Sequence, residues 1–292
     1  MTLATKRLSI LLAALLCLFT ACTHREIATE EGSKTISFRI TNYMQYDLDE
    51  GTRATPAAST DVLSHLALGI FNATGKMVGT LQKQNKKTEG YGTFTATLPY
   101  GQYTLVFLGY GGSKDCVMES PESISFEGGG VPQTFLCTQE LTVNANAKAQ
   151  TDIVLHRVVA GFRVELDDQI PTNANKFHVH TTGGDCALNA KTGKAVSKTG
   201  RDYDIAIPAE SKNKDGKNVN IYLFLTDLSE EVDINISAKD QEGNTIANHT
   251  FPSVPMKVNT LTVYKGRFFA DPAFGFSISV DENWDGEVHK TF

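Results

Sequence analysis

Lys34-Thr-Ile-Ser-Phe-Arg-Ile-Thr-Asn-Tyr43 alternates apolar and polar residues along its length. Ile36, Phe38 and Ile40 fall on one side, with Ser37, Arg39 and Thr41 on the other. A period of two puts successive side chains on opposite faces, so the stretch predicts a β-strand with one buried face.

Downstream, strand signals recur between turn residues. Leu66, Leu68 and Ile70 alternate and run into Asn72-Ala-Thr-Gly75, and Phe94, Ala96 and Leu98 alternate before Pro99-Tyr-Gly101. Tyr103-Thr-Leu-Val-Phe-Leu108 is a continuous apolar run suited to a strand buried on both faces. Gly128-Gly129-Gly130 marks a loop. Phe162, Val164 and Leu166 share a face, and further runs centre on Ile205, Leu223, Ile234, Val263 and Ile278. Few windows show a helical period. Short strands separated by turns predict an all-β chain of β-sandwiches.

The two halves echo each other. Ile70-Phe-Asn-Ala-Thr-Gly-Lys-Met-Val78 aligns with Ala238-Lys-Asp-Gln-Glu-Gly-Asn-Thr-Ile246 as hairpin chemistry. Pro99 precedes Thr104-Leu105 as Pro255 precedes Thr260-Leu261. Two sandwiches of related topology are expected, with the boundary near 150–156.

Upstream of the strand, Lys6 and Arg7 precede an apolar run over 8–19 that Thr20-Ala21-Cys22 closes. A positive start, a short apolar stretch and small residues describe a secretory signal, too short to span a bilayer. The cysteine at the boundary fits a bacterial lipobox, although Phe19 stands where Leu, Val or Ile is usual. Cys22 is then the acylated first residue of an exported chain, and each buried CH₂ of its acyl chains contributes about 0.8 kcal/mol to anchoring. Residues 23–33 read as a polar tether, and 44–60, with Gly51 and Pro56, as an exposed loop.

Losing the signal removes Lys6 and Arg7 and no acid, so formal charge moves from −6 to −8. An acidic, evenly mixed chain argues against nucleic acid as partner. A hydrophobic fraction of 41% supports real cores. Beyond Cys17 and Cys22 remain Cys116, Cys137 and Cys186; if one internal disulfide forms, Cys116–Cys137 is preferred because the two are close in sequence.

Few motifs carry chemistry. Asp281-Glu-Asn-Trp-Asp-Gly286 fits the first half of a calcium loop through Asp281, Asn283 and Asp285, but the glutamate of the twelfth position is missing. The alternative is an acidic turn at a strand end, and no metal is expected. His178-Val-His180 puts two imidazoles on one face near Asp185 and Cys186, and reads as exposed residues of an edge strand rather than a ligand set. Thr192-Gly-Lys-Ala195 lacks the ends of a phosphate loop and reads as a turn. No nucleophile elbow or HExxH helix is present, so the chain reads as non-catalytic, without cofactor.

Taken with the lipobox, the early alternating strand and Arg53 in its loop, the stretches 66–78, Leu155-His-Arg-Val-Val-Ala-Gly-Phe-Arg-Val164, Val258-Asn-Thr-Leu-Thr-Val-Tyr264 and 276–284 resemble the FimA-like fimbrillins, the type V pilins of Bacteroidales, with their anchor and tip relatives. The resemblance implies two transthyretin-like sandwiches in tandem: a signal over 1–21, a tether over 22–33, and domains over 34–155 and 156–292. It implies a fimbrial subunit or fimbria-associated adhesin at the outer membrane. Its partners would be other fimbrial subunits, joined by β-strand addition, and surface ligands of host or bacterial cells.

In that family a trypsin-like protease cuts after an arginine beyond the first strand, which maps to Arg53 and Ala54; Arg53 reads equally as one exposed loop arginine among many. The displaceable strand would be that of Ile36, Phe38 and Ile40. Phe274, Phe276, Ile278 and Val280 alternate as a donor strand would, and read also as the last strand of the second domain. The stretch 281–292 is short beside what a stalk subunit appends, which keeps anchor and tip roles open. The rival from another class is a glycan-binding surface lipoprotein of a nutrient-uptake system.

Cys22→Ala should move the protein from the membrane to the soluble fraction. Unchanged partition, with no acylated N-terminal peptide in mass spectrometry, is the contrary result.

Overall fold

The computed structural model describes residues 32–44, 63–270 and 276–281. The first half contributes β1 (Ser33–Met44), β2 (His65–Asn72), β3 (Gln82–Asn85), β4 (Thr93–Pro99), β5 (Gly101–Tyr110), β6 (Cys116–Ser120), β7 (Ser123–Phe126), β8 (Thr134–Val143) and β9 (Gln150–Arg157). The second contributes β10 (Ala160–Leu166), β11 (Lys176–Thr181), β12 (Leu188–Asn189), β13 (Lys194–Ala195), β14 (Arg201–Ala206), β15 (Lys217–Leu223), β16 (Ser229–Lys239), β17 (Thr245–Lys257), β18 (Leu261–Gly266) and β19 (Ser277–Asp281). One 3-10 turn, Ala209–Ser211, is the only helical element among the described residues. The all-β expectation holds.

In the first half the strands form one seven-stranded sheet, β3-β2-β5-β8-β9-β1-β4. In the second they form two, β14-β11-β16-β17 and β15-β10-β18-β19. The orders superpose. β3-β2-β5-β8 corresponds to β14-β11-β16-β17, and β9-β1-β4 to β18-β10-β15. β1 runs antiparallel to β4 and parallel to β9, as β10 does to β15 and β18. The halves are topological repeats.

The residue echoes that suggested this repeat do not coincide with it. The turn after β2 matches the turn after β16, yet β2 corresponds to β11. Pro99 is the last residue of β4 and Pro255 lies near the end of β17, which are also not equivalent. What the two turns share is chemistry. Asn72 Oδ1 accepts from the Lys76 N–H at 3.0 Å and Asp240 Oδ1 from the Asn244 N–H at 2.7 Å, each beside a glycine at positive φ, Gly75 or Gly243.

Three apolar cores result. One holds Ile36, Phe38, Leu66, Leu68, Phe94, Leu105, Phe107 and Ile153 of the first half. Another holds Phe162, Val164, Val179, Ile221, Ile234, Phe251 and Tyr264 of the second. The third takes residues from both: Ala67, Val106, Leu108 and Tyr110 from the first half, Leu188, Phe224 and Leu261 from the second. Between them lies a small sheet, β13-β12-β7-β6, made of one hairpin from each half. These hairpins stand outside the repeat, and they meet where Leu188 pairs with Ile124. The expected boundary at 155/156 lies at the end of β9, while this middle layer draws on both sides of it.

The strand expected to be buried on two faces is so. Tyr103, Leu105 and Phe107 of β5 face the first core, and Val106, Leu108 and Tyr110 face the middle one. Gly69 on β2 makes room there, because a Cβ would collide with the Met118 sulfur and lie 2.9 Å from the Phe71 ring. The preferred Cys116–Cys137 pair is not formed, and all three described cysteines are free. Cys116, on β6, belongs to the middle core, whereas Cys137, on β8, packs against the first core on the far side of the seven-stranded sheet.

Asp185 anchors the middle layer from a site 1% exposed. Its Oδ1 accepts from Arg201 Nε at 2.8 Å and Nη2 at 2.6 Å, and Ser197 donates to Oδ2. Burial would by itself raise this carboxyl's pKa, but the hydrogen bonds from Ser197, Arg201 and the Ala187 N–H hold it below the usual range. A depressed pKa in the folded state means stability present above the unfolded value and lost as pH falls through the folded one. Acid unfolding should therefore have a component below about pH 4 that Asp185→Asn removes, at a cost in stability at neutral pH, both read from denaturant melts across pH.

Candidate functional site: the first strand and its groove

β1 lies inside its sheet rather than at its margin. On one side Ile36 pairs with Ala96 and Phe38 with Phe94 of β4; on the other Phe38 pairs with Thr151 and Ile40 with Ile153 of β9. The β9 register shifts between Ile40 and Asn42, a local irregularity near the end of the strand. Extra backbone bonds run from the Ser37 N–H to the Ala149 carbonyl at 2.8 Å and from the Ile40 N–H to the Gly92 carbonyl at 2.8 Å.

Its apolar face goes where the alternation predicts. Ile36 and Phe38 are 0% exposed, and Ile40 packs against the same core while half-buried. The Phe38 ring lies 5.4 Å from that of Phe107, tilted by 59°. Burial of such side chains contributes about 1.5–3 kcal/mol each. The outer face contributes less. Thr35 and Thr97 share a hydroxyl bond of 2.8 Å, and the Arg39–Asp152 ion pair at 3.4 Å is 55% exposed on both sides, a class worth about 0–1 kcal/mol. Taking β1 away would leave an apolar floor of Phe94, Ala96, Leu98, Phe107 and Leu155 between the unpaired edges of β4 and β9.

β19 is the last strand of the sheet β15-β10-β18-β19. Phe276, next to its start, packs 5.1 Å from the Phe251 ring and 5.2 Å from the His249 ring, over Gly266, where a Cβ would meet its ring at 2.7 Å. Ile278 and Val280 continue the same face but are exposed. Phe274 lies outside the described residues, as do Cys22, Arg53, Ala54, Asn283 and Asp285 and the side chain of Asp281.

His178 and His180 do not lie on an edge strand, because β14 covers the outer side of β11. His178 Nδ1 stands 2.9 Å from Asp204 Oδ1 and His180 Nδ1 2.9 Å from Asp202 Oδ1. The Lys176 ammonium, and then the His178 ring, hold the Asp204 carboxyl below the usual range. Among the described residues no group of three His, Cys, Asp or Glu side chains is placed to hold a metal ion.

Sequence reasoning missed Arg157. It is 4% exposed, with Nη1 donating to Asn259 Oδ1 at 3.1 Å and its guanidinium 4.9 Å from the Phe135 ring centre. Its partners lie 22 residues before it and 102 after, so no local pattern marks it.

Residues 132–292 match the family described as "Family of unknown function (DUF6562)", and the chain belongs to that family. No curated protein matches it. Among solved structures, candidate polysaccharide-binding proteins (DUF1812) of Bacteroides thetaiotaomicron align over 85% of this chain and 96% of theirs, at 12% identity and a TM-score of 0.50. A candidate adhesin of Bacteroides ovatus aligns over 80% and 87%, at 13% identity and a TM-score of 0.45. The tip fimbrial protein Mfa3 of Porphyromonas gingivalis, with a C-terminal truncation, aligns over 86% and 99%, at 12% identity and a TM-score of 0.37. At these identities the likeness concerns the fold alone: an all-β chain whose strand order repeats in its two halves.

Phe38→Ala should cost about 3–5 kcal/mol, the range for emptying a buried aromatic site. Arg39→Ala, one residue along on the outer face, should stay within about 0.5 kcal/mol. Denaturant melts of the two variants check the contrast.

Proposed function

We propose that the protein is a non-catalytic cell-surface subunit of fimbrial type, held by lipid at Cys22, whose first strand can be replaced by a strand from a partner subunit. The observation that carries this reading is the place of β1. It is the first strand among the described residues, yet it sits between β4 and β9, paired on both sides and one strand in from the sheet's edge. The segment containing Arg53 is its covalent link to everything that follows, since the described cysteines form no disulfide.

Cleavage after Arg53 would leave β1 held by its ladders and by Ile36, Phe38 and Ile40 alone. A partner strand with apolar residues at alternate positions would satisfy the same two edges and the same floor. Because Cys22 belongs to the β1 fragment, exchange would also part the subunit from its lipid. A subunit that keeps β1 stays tethered to the outer membrane, as an anchor must. The likeness to surface proteins of Bacteroidales is consistent with a place on the cell surface, in a fimbrium, among other fimbrial components.

Surface glycan binding is the second reading, and the described polysaccharide role of the Bacteroides thetaiotaomicron structures keeps it in view. Sugar platforms use exposed aromatic faces. Here the large hydrophobic residues that are exposed among the described ones are all aliphatic: Val117, Val196, Leu228, Ile278 and Val280. That favours the fimbrial reading.

Mild trypsin should cut first after Arg53, and Arg53→Ala should block the cut with the fold unchanged. The nicked protein should keep β1 on its own, because leaving the sheet requires local unfolding. It should lose β1 slowly when a peptide covering 274–280, or an alternating strand of a partner subunit, is added in excess. A first cut elsewhere removes Arg53 as the processing point; a nicked protein that retains β1 against every donor points to an anchor that never exchanges.

A further inference from the structure

Among the described residues eight strands end a sheet: β3, β4, β6, β13, β14, β15, β17 and β19. An open edge offers unpaired N–H and C=O groups, and proteins guard it with lysine, proline, charge, bulges or brevity. β3 is four residues long and carries Lys83, and β4 ends at Pro99. β6 has Glu119, β13 is two residues with Lys194, and β14 carries Arg201, Asp202 and Asp204. β15 begins with Lys217, and β17 contains Pro252, Pro255 and two register shifts against its neighbour.

β19 is different. Ser277-Ile-Ser-Val-Asp281 has no lysine, proline or irregular register, and its only charge is at the end. Ile278 is 52% exposed and Val280 44%. Both stand opposite buried residues of β18, Tyr264 and Thr262, so they belong to the interior face of the sheet and run out past its cover. The strand itself is fixed, paired to β18 over five residues and pinned by Phe276 on Gly266.

We infer that this edge pairs with the same edge of a second copy of the chain, antiparallel and centred on Ser279. The residue pattern fits that partner. In this register Ile278 faces the partner's Val280 and Ser277 faces the partner's Asp281, so apolar meets apolar and no like charges meet. A parallel pairing would instead set Asp281 against the partner's Asp281. The two-fold contact uses one patch on both subunits and closes at two. It joins two four-stranded sheets into one of eight, with Ile278 and Val280 of both subunits in a single stripe. Five residues make a small ladder, so the association is weak and dependent on concentration. The contact uses no residue of β1 or of the groove it fills, which lie in the other half of the chain.

The test is a charge swap at the centre of symmetry. Ser279 lies on the face away from Ile278, partly exposed, and Ser279→Lys or Ser279→Glu should leave the melting temperature unchanged. Sedimentation velocity on the full chain should show a monomer–dimer equilibrium. Each variant alone should be more monomeric, because its like charges face each other across the axis, and an equimolar mixture of the two should recover the dimer. The inference falls if the chain is monomeric at every concentration, if Ser279→Lys leaves a dimer intact, or if mixing rescues nothing. It falls also if a dimer forms only after removal of residues 282–292, since the chain's own end would then hold this edge.

Discussion

Several strands of this protein are apolar on both faces, and that requirement shapes the rest of the molecule. β2 and β5 bury alternate residues in the first core and send the others, Ala67, Val106, Leu108 and Tyr110, to the opposite side. β18 does the same in the second half, with Tyr264 on one face and Leu261 on the other. A sandwich covers one face of each sheet. The other face must find cover elsewhere or expose apolar area, at about 25 cal/mol for each Å² left in water. The β6–β7 and β12–β13 hairpins provide that cover, lying outside the shared topology of the halves and pairing with each other. Gly69 makes room for Met118 on one side, and Asp185 ties β12 to the start of β14 on the other. The repeat builds two sandwiches; the hairpins join them.

The same arrangement leaves β1 clear of the middle layer. Its neighbours are β4, β9 and the first core, and none of its described side chains reaches the shared one. Replacing β1 therefore perturbs one sandwich and leaves the junction of the two intact. That separation is what a strand-exchange mechanism needs, since a subunit must stay folded while its sheet is open. The opening is nonetheless costly, because β1 is paired on two sides and Phe38 is clamped against Phe107. If the proposed exchange operates, a barrier of that kind would keep an uncut chain closed.

The surface chemistry is conventional by comparison. The His178–Asp204 and His180–Asp202 contacts, with Lys176 beside them, form a solvent-facing ladder across β11 and β14. Their periodicity was plain in His178-Val-His180, but their carboxylate partners arrive from a strand more than twenty residues later. An imidazole pair on a strand is a metal site only when further donors converge on it, and here the carboxylates face the rings as partners.

Much of the fold was legible in the chain as written. Alternation marked β1, β4 and β10 with the correct face inward, because side-chain direction in a strand follows from backbone geometry alone. The continuous run in β5 announced burial on two faces for the same reason. Turns after β2 and β16 were readable from Asn or Asp with glycine, since those residues make their own local hydrogen bonds. What sequence could not supply was which strand lies beside which. The repeat was inferred from turns that prove not to be equivalent, because hairpin chemistry recurs wherever a tight turn is needed. Cys116 and Cys137 are near neighbours in the chain but lie on different sheets and pack into different cores. Arg157 gains its partners only when distant strands close around it, and Asp185 only when the chain folds back through Ser197 and Arg201. Local pattern sets which way a residue points; only the packed sheets decide what it meets there.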